Sequence, residues 1–137
     1  MKSYAMLIFL GMLLFSSSVF AQRGFNDYGT HHDIRIQYRW TRQNPFDQNS
    51  NAALVLRLTN NREYAVIANF SLNFYRNGQL IFESRENNHC MEPGQSIRGA
   101  YAYLRFMADG ITLQMISDPA FEWNIGDVAV KRVESCR

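Results

Sequence analysis

Residues that carry chemistry are scarce in this chain. Its 137 residues include three histidines and two cysteines. Neighbouring residues on an extended strand point to opposite faces, so the adjacent His31 and His32 make a poor ligand pair and read as part of a solvated arm. No spaced set of His, Asp and Glu supports a catalytic metal. There is no Cys-x-x-Cys pair, and His89 is the one histidine near either cysteine. Gly94 and Gly99 lack the flanking pattern of a phosphate-cradling loop. The carboxylates of Glu63, Glu83, Glu86 and Glu92 are scattered among turns, with nothing pointing to a glycosidase pair. An enzyme needs a nucleophile, base or metal held in place. The chain therefore reads as non-enzymatic, with no cofactor.

Long apolar runs are also missing, except at the start. Lys2 is followed by Ala5 to Phe15 (AMLIFLGMLLF), and Ser16 to Ala21 then supplies small residues at the −3 and −1 positions of a cut before Gln22. That is the layout of a secretory signal. The run is short for a membrane span and no stop-transfer segment follows. Residues 1–21 are thus expected to be removed after Ala21, leaving 116 of the 137 residues as one secreted or periplasmic domain without a membrane span.

Lysine is nearly absent from that domain. With Lys2 gone, 13 basic residues face 12 acidic ones, and all the basic residues but Lys131 are arginine. So even a balance argues against a general nucleic-acid binder, which wants a concentrated basic face. Arginine favours bidentate and stacked contacts at interfaces, although codon bias produces the same excess.

The two cysteines, Cys90 and Cys136, read as one structural disulfide, because export takes them to a compartment where such bonds persist. In the chain-entropy picture a loop of that size stabilises by about 3–4 kcal/mol.

What the chain has in quantity is period-2 alternation, the mark of half-buried strands. Residues 22–32 are Gly-rich and polar, and are expected to form a flexible arm. From Asp33 to Arg42, Ile34, Ile36, Tyr38 and Trp40 alternate with polar residues, and Trp40 is a core candidate. Leu54, Leu56 and Leu58 mark a second strand ending at Asn60-Asn61. Tyr64 to Tyr75 is the longest strand, and Asn77-Gly78 after it is a hairpin signal, since both positions accept positive φ. Gln79 to Ser84 should pair back, with Glu86 to His89 as loop. Further strands are expected at Ile97 to Phe106, at Ile111 to Met115 after an Asp109-Gly110 hairpin, and at Asp127 to Glu134 after an irregular Phe121–Gly126 connection. Seven strand candidates without an amphipathic helix imply an all-β fold, a single antiparallel β-sandwich over residues 33–137.

The succession of strand, polar turn, long strand, Asn77-Gly78 hairpin and Cys90-x-x-Pro93-Gly94 corner resembles small exported bacterial domains of immunoglobulin-like or fibronectin-III-like fold. The resemblance implies the fold and transfers no active site. Cys90 lies in a loop, and the Cys…Trp…Cys core spacing of antibody domains is missing.

One candidate binding surface emerges. If Ala100, Ala102, Leu104 and Phe106 face the core, Tyr101, Tyr103 and Arg105 face outward, a combination that binding hot spots favour. The inverted strand would instead pack both tyrosines inside. Asn69, Ser71, Asn73 and Tyr75 extend that surface if the strands share a sheet. Trp123 is either a loop-borne contact or a cap over the open end of the sandwich. The expected function is a secreted, non-catalytic module engaging an unidentified protein in the periplasm, envelope or medium. The alternatives are a carbohydrate-binding module that stacks Tyr101, Tyr103 and Trp123 on polysaccharide, and, less favoured, a small secreted hydrolase.

Overall fold

Alternation along Ile34–Arg42 and Asn51–Asn60 puts Ile34, Ile36, Leu54, Leu56 and Leu58 on one face of a pleated sheet. Arg35, Arg39, Val55 and Arg57 take the other face. The computed structural model describes residues 24–137, and the leader expected over 1–21, with its cut after Ala21, lies outside them. Eight strands are described: β1 (Asn26–His31), β2 (Ile34–Arg42), β3 (Asn51–Asn60), β4 (Val66–Arg76), β5 (Gln79–Met91), β6 (Ser96–Arg98), β7 (Arg105–Thr112) and β8 (Phe121–Arg132). A single helical turn, α1 (Leu113–Ile116), follows β7.

Two antiparallel sheets form a sandwich. The first runs β1-β2-β3, with β6 and β7 sharing the far edge of β3. The second runs β5-β4-β8. Between them Leu54, Leu56, Leu72, Phe74, Met91 and Leu104 are fully buried. An aromatic seam fills one side of the gap: the Trp123 ring lies 5.1 Å from Tyr28, 4.9 Å from Tyr38 and 6.1 Å from Trp40. Trp40, expected in the core, is half-buried and packs against it, 5.5 Å from Phe74. Cys90 and Cys136 are bonded, with Cα atoms 5.6 Å apart. Among the described residues no helix is long and apolar enough to cross a membrane.

Asn60 is a buried polar joint between the sheets. Its side-chain amide donates to the carbonyls of Tyr64, Met91 and Glu92 at 2.9, 3.2 and 3.2 Å, and its Oδ1 accepts the Arg62 N–H at 2.9 Å. The end of β3, the start of β4 and the end of β5 thus converge on one side chain.

Several expectations need correction. The described part of the 22–32 arm is not loose, because Asn26–His31 is strand β1, paired with β2. The hairpin joining them turns at His32 (φ 51) and Asp33 (φ 64), without a glycine. Outside bonds hold that turn: Arg62 Nε donates to the His32 carbonyl at 3.1 Å, and Asn61 N–H donates to the Asp33 carbonyl at 3.0 Å. At the other edge the Tyr28 hydroxyl accepts the Ile125 N–H at 2.9 Å, fastening β1 to the second sheet. The Glu86–His89 loop is part of β5, and the Phe121–Gly126 connection is part of β8. Asn77-Gly78 does turn β4 into β5, with Arg76 opposite Gln79. Asp109-Gly110 makes no hairpin. It lies where the β3–β7 register slips from Ala53↔Met107 to Asn51↔Thr112, and the Gly110 N–H goes to Asn51 Oδ1 at 3.1 Å. The strand expected at Ile111–Met115 gives way to α1, capped by the Thr112 hydroxyl.

Two variants test this account by urea denaturation. Asn60→Ala leaves buried carbonyls without donors and should cost about 2–3 kcal/mol. Cys136→Ser opens a bridge spanning 46 residues and should cost about 2–4 kcal/mol. A loss under about 0.5 kcal/mol in either would refute the role given to that residue.

Candidate binding cleft on the outer face of the five-stranded sheet

Register decides which side chains crowd together on a sheet face. Across the outer face of the first sheet, Gln37, Arg57 and Arg98 form one cross-strand row. Arg39, Val55 and Arg105 form the next. Arg35 lies on the same face, opposite Thr59. Five arginines from four strands therefore share one surface. The carboxylate that meets this group is Asp27, 3.2 Å from Arg35 Nε. The outer face of the second sheet is mixed in charge, carrying Asn73, Tyr75, Glu83, Glu122 and Asn124 together with Arg85 and Lys131.

The arginines are held rather than waving. Arg57 Nε donates to Gln37 Oε1 at 2.8 Å, and Gln37 is buried although it lies on the outer face. The Phe25 ring sits 5.0 Å from the Arg39 guanidinium carbon and 4.4 Å from that of Arg57. A ring between two cations offers both of them its negative π-faces. It also restricts them before any ligand arrives.

Next to these rows the edge of the sheet is interrupted. Sequence alternation predicts an unbroken strand over Ile97–Phe106, and the structure corrects this. Gly99 takes φ 66, a 3-10 turn covers Ala100–Ala102, and Tyr103 is left-handed at φ 56. Gly99 and Leu104 then pair with each other, and both bond to Leu56 of β3. The edge strand pauses for one excursion and resumes. Small residues at Gly99, Ala100 and Ala102 permit the tight turn, and φ of 66 at Gly99 favours a residue without Cβ. Tyr101 and Tyr103 point to solvent, at 103% and 83% exposure, because they sit on this excursion and not because a strand alternates.

Between the excursion and the Gln43–Ser50 loop lies an open cleft of about 520 Å³. Arg39, Arg42 and Arg105 line it, with Val55, Pro45 and Leu113 supplying apolar surface. Pro45 and Ala100 are also lining residues, and their chain neighbours Phe46 and Tyr101 extend into solvent. Phe46 is 97% exposed. The Nε of Arg42 is buried without a hydrogen-bond acceptor among the described residues.

The structure brings some of the expected face together and separates the rest. Arg105 lines the cleft, with Tyr101 and Tyr103 on the excursion beside it. Trp123 belongs elsewhere: it is half-buried on β8, packed on Tyr28 and Tyr38, and lines a separate recess with Tyr75, Gly78, Glu122 and Asn124. Asn69, Ser71, Asn73 and Tyr75 lie on β4 in the other sheet and do not extend the surface. Sequence reading missed Arg39, Arg42 and Phe46. Arg35 and Arg39 do alternate visibly on β2, but meeting Arg57, Arg98 and Arg105 depends on which strands pair. Among the described residues, no three or more His, Cys, Asp or Glu gather as a metal ion would require.

No protein-family model, curated protein or solved structure matches this chain.

Removing Trp123 should therefore damage stability, and removing Tyr101 should not. Trp123→Ala is expected to cost about 3 kcal/mol, while Tyr101→Ala should stay within about 0.5 kcal/mol of the parent. Thermal unfolding followed by circular dichroism separates the two, and equal losses would contradict the placement of both rings.

Proposed function

We propose that this chain is an exported, non-catalytic binding module of the immunoglobulin-like or fibronectin-III-like kind, engaging another protein in the periplasm, envelope or medium. One observation carries the reading. Phe46, Tyr101 and Tyr103 stand almost wholly in solvent, and Pro45, Ala100 and Arg105, their neighbours along the chain, line an arginine-bearing cleft. A folded domain gains little by ordering three large aromatic rings in water, whereas Tyr and Arg are the residues that hot spots use. Tyr103 keeps an uncommon left-handed backbone to stand there. The disulfide supports an oxidising compartment. The order in which the chain crosses between sheets, from β3 to β4, β5 to β6 and β7 to β8, supports the immunoglobulin-like assignment.

Carbohydrate binding is the second reading, favoured by the same rings, because sugars stack on exposed aromatic faces. Against it, a neutral glycan needs acceptors for its hydroxyl protons, and the lining of the cleft contains no carboxylate.

The test is capture from the exporting cell's envelope and medium. The bait is the parent protein, compared with a Phe46→Ala, Tyr101→Ala, Tyr103→Ala variant of unchanged melting temperature. A protein partner held by the parent and lost by at least about tenfold with the variant is the expected result, since hot-spot truncations cost this much. Retention of the partner by the variant would overturn the assignment of this face. Retention of glycan alone would replace the protein reading with the carbohydrate one.

A further inference from the structure

Taking the binding-module reading as its basis, we infer that the cleft recognises an acidic peptide segment of the partner, with carboxylates meeting Arg42 and Arg105 and apolar side chains lying on Val55, Leu113 and Pro45.

The first observation is a contrast among the arginines. Arg35, Arg62 and Arg85 each have a carboxylate of this chain close by, at 3.2, 3.6 and 3.1 Å. Arg42, Arg98 and Arg105 have none within ion-pair distance among the described residues, although the chain holds 12 acidic groups. Like charges gathered on one face repel. A ligand of opposite sign accounts for the arrangement.

A second observation is independent of charge counting. Arg42 Nε is buried with no acceptor among the described residues. Buried donors are nearly always satisfied, and each exception calls for an explanation. With its Nε already enclosed, the residue half-buried and no carboxylate of this chain facing it, the Arg42 guanidinium suits an oxyanion ligand.

Selection among anions follows from the lining. Arg39, Arg42 and Arg105 are pure donors, and Thr41 and Gln43 are the neutral side chains beside them able to accept. A carboxylate only accepts, so it matches. An acidic polysaccharide also brings hydroxyl protons that find few acceptors here. The free edge favours a peptide further. Among the described residues β6 and β7 pair with β3 alone, so their outer backbone groups flank Arg98 and Arg105. An extended peptide can use such an edge through main-chain bonds. Neither a glycan nor a nucleic acid has matching groups.

The experiment is fluorescence anisotropy with protein secreted under its own leader. The probe is a short labelled peptide of alternating Glu and Leu, compared with its Gln-for-Glu counterpart. Polygalacturonate and a single-stranded oligonucleotide serve as competitors. The parent should bind the Glu peptide at least about tenfold more tightly than the Gln peptide, and added salt should weaken that binding. Arg42→Gln and Arg105→Gln should each cost about tenfold, while Arg85→Gln, on the opposite sheet, should leave affinity unchanged. Equal affinity for the two peptides, no binding in the millimolar range, or full affinity in folded Arg42→Gln and Arg105→Gln protein would overturn the inference. Stronger competition by polygalacturonate or by the oligonucleotide than by unlabelled peptide would also overturn it, and would reassign the cleft to that polymer. If a captured partner depends on Phe46, Tyr101 and Tyr103 but not on the arginines, the acidic-peptide inference fails while the module reading stands.

Discussion

Everything in this molecule hangs on the register of β3. It is the strand paired along its whole length on one side, to β2, and shared on the other between β6 and β7. Leu54, Leu56 and Leu58 point inward and are essentially without solvent contact. Burying three such side chains is worth roughly 5–8 kcal/mol in transfer terms, an upper figure because the unfolded chain already hides some of that surface. A slip of one residue would expose all three and drive Arg57 into the core. The hydrophobic effect thus fixes the inner face. The positions of the arginines opposite follow as a geometric consequence.

That consequence links fold to function. The chain is nearly neutral, yet two cross-strand rows collect Arg39, Arg57, Arg98 and Arg105 on one surface. Phe25 and Gln37 restrain two of them, which lowers the entropy lost when a ligand fixes the rest. The broken edge strand then brings Gly99 and Ala100 into the lining of the cleft, with Tyr101 and Tyr103 exposed on the same excursion. A sheet that would otherwise present a flat face thereby gains walls, and a flat β-face without walls offers little to grip.

The sequence made the sandwich legible because period-2 alternation reports burial directly. Strands β2, β3 and β4, the Asn77-Gly78 turn and the Cys90–Cys136 bond were readable from it, and β5 and β8 in part. Local exceptions were not. His32-Asp33 turns with positive φ but carries no glycine, and the bonds that hold it come from Arg62 and Asn61, some thirty residues later. Asp109-Gly110 has the letters of a hairpin, but its glycine N–H is taken by Asn51 in a bulge. Alternation through Ile97–Phe106 looked continuous, because a 3-10 excursion that returns to the same neighbour strand leaves the pattern almost undisturbed. As for the cleft, Tyr101, Tyr103 and Arg105 stood out as a local cluster. Arg39 and Arg42 did not, because their relation to Arg105 exists through β3 alone.

The central claim is that the outer face of the five-stranded sheet is the binding face. The most direct test is a backbone-amide and arginine Nε–Hε NMR titration of the isotope-labelled protein with the peptide of alternating Glu and Leu. Shifts concentrated at Arg39, Arg42, Val55, Gly99–Arg105 and Phe46 are the predicted result. Shifts confined to β5, or to Trp123 and its neighbours on the second sheet, would contradict it.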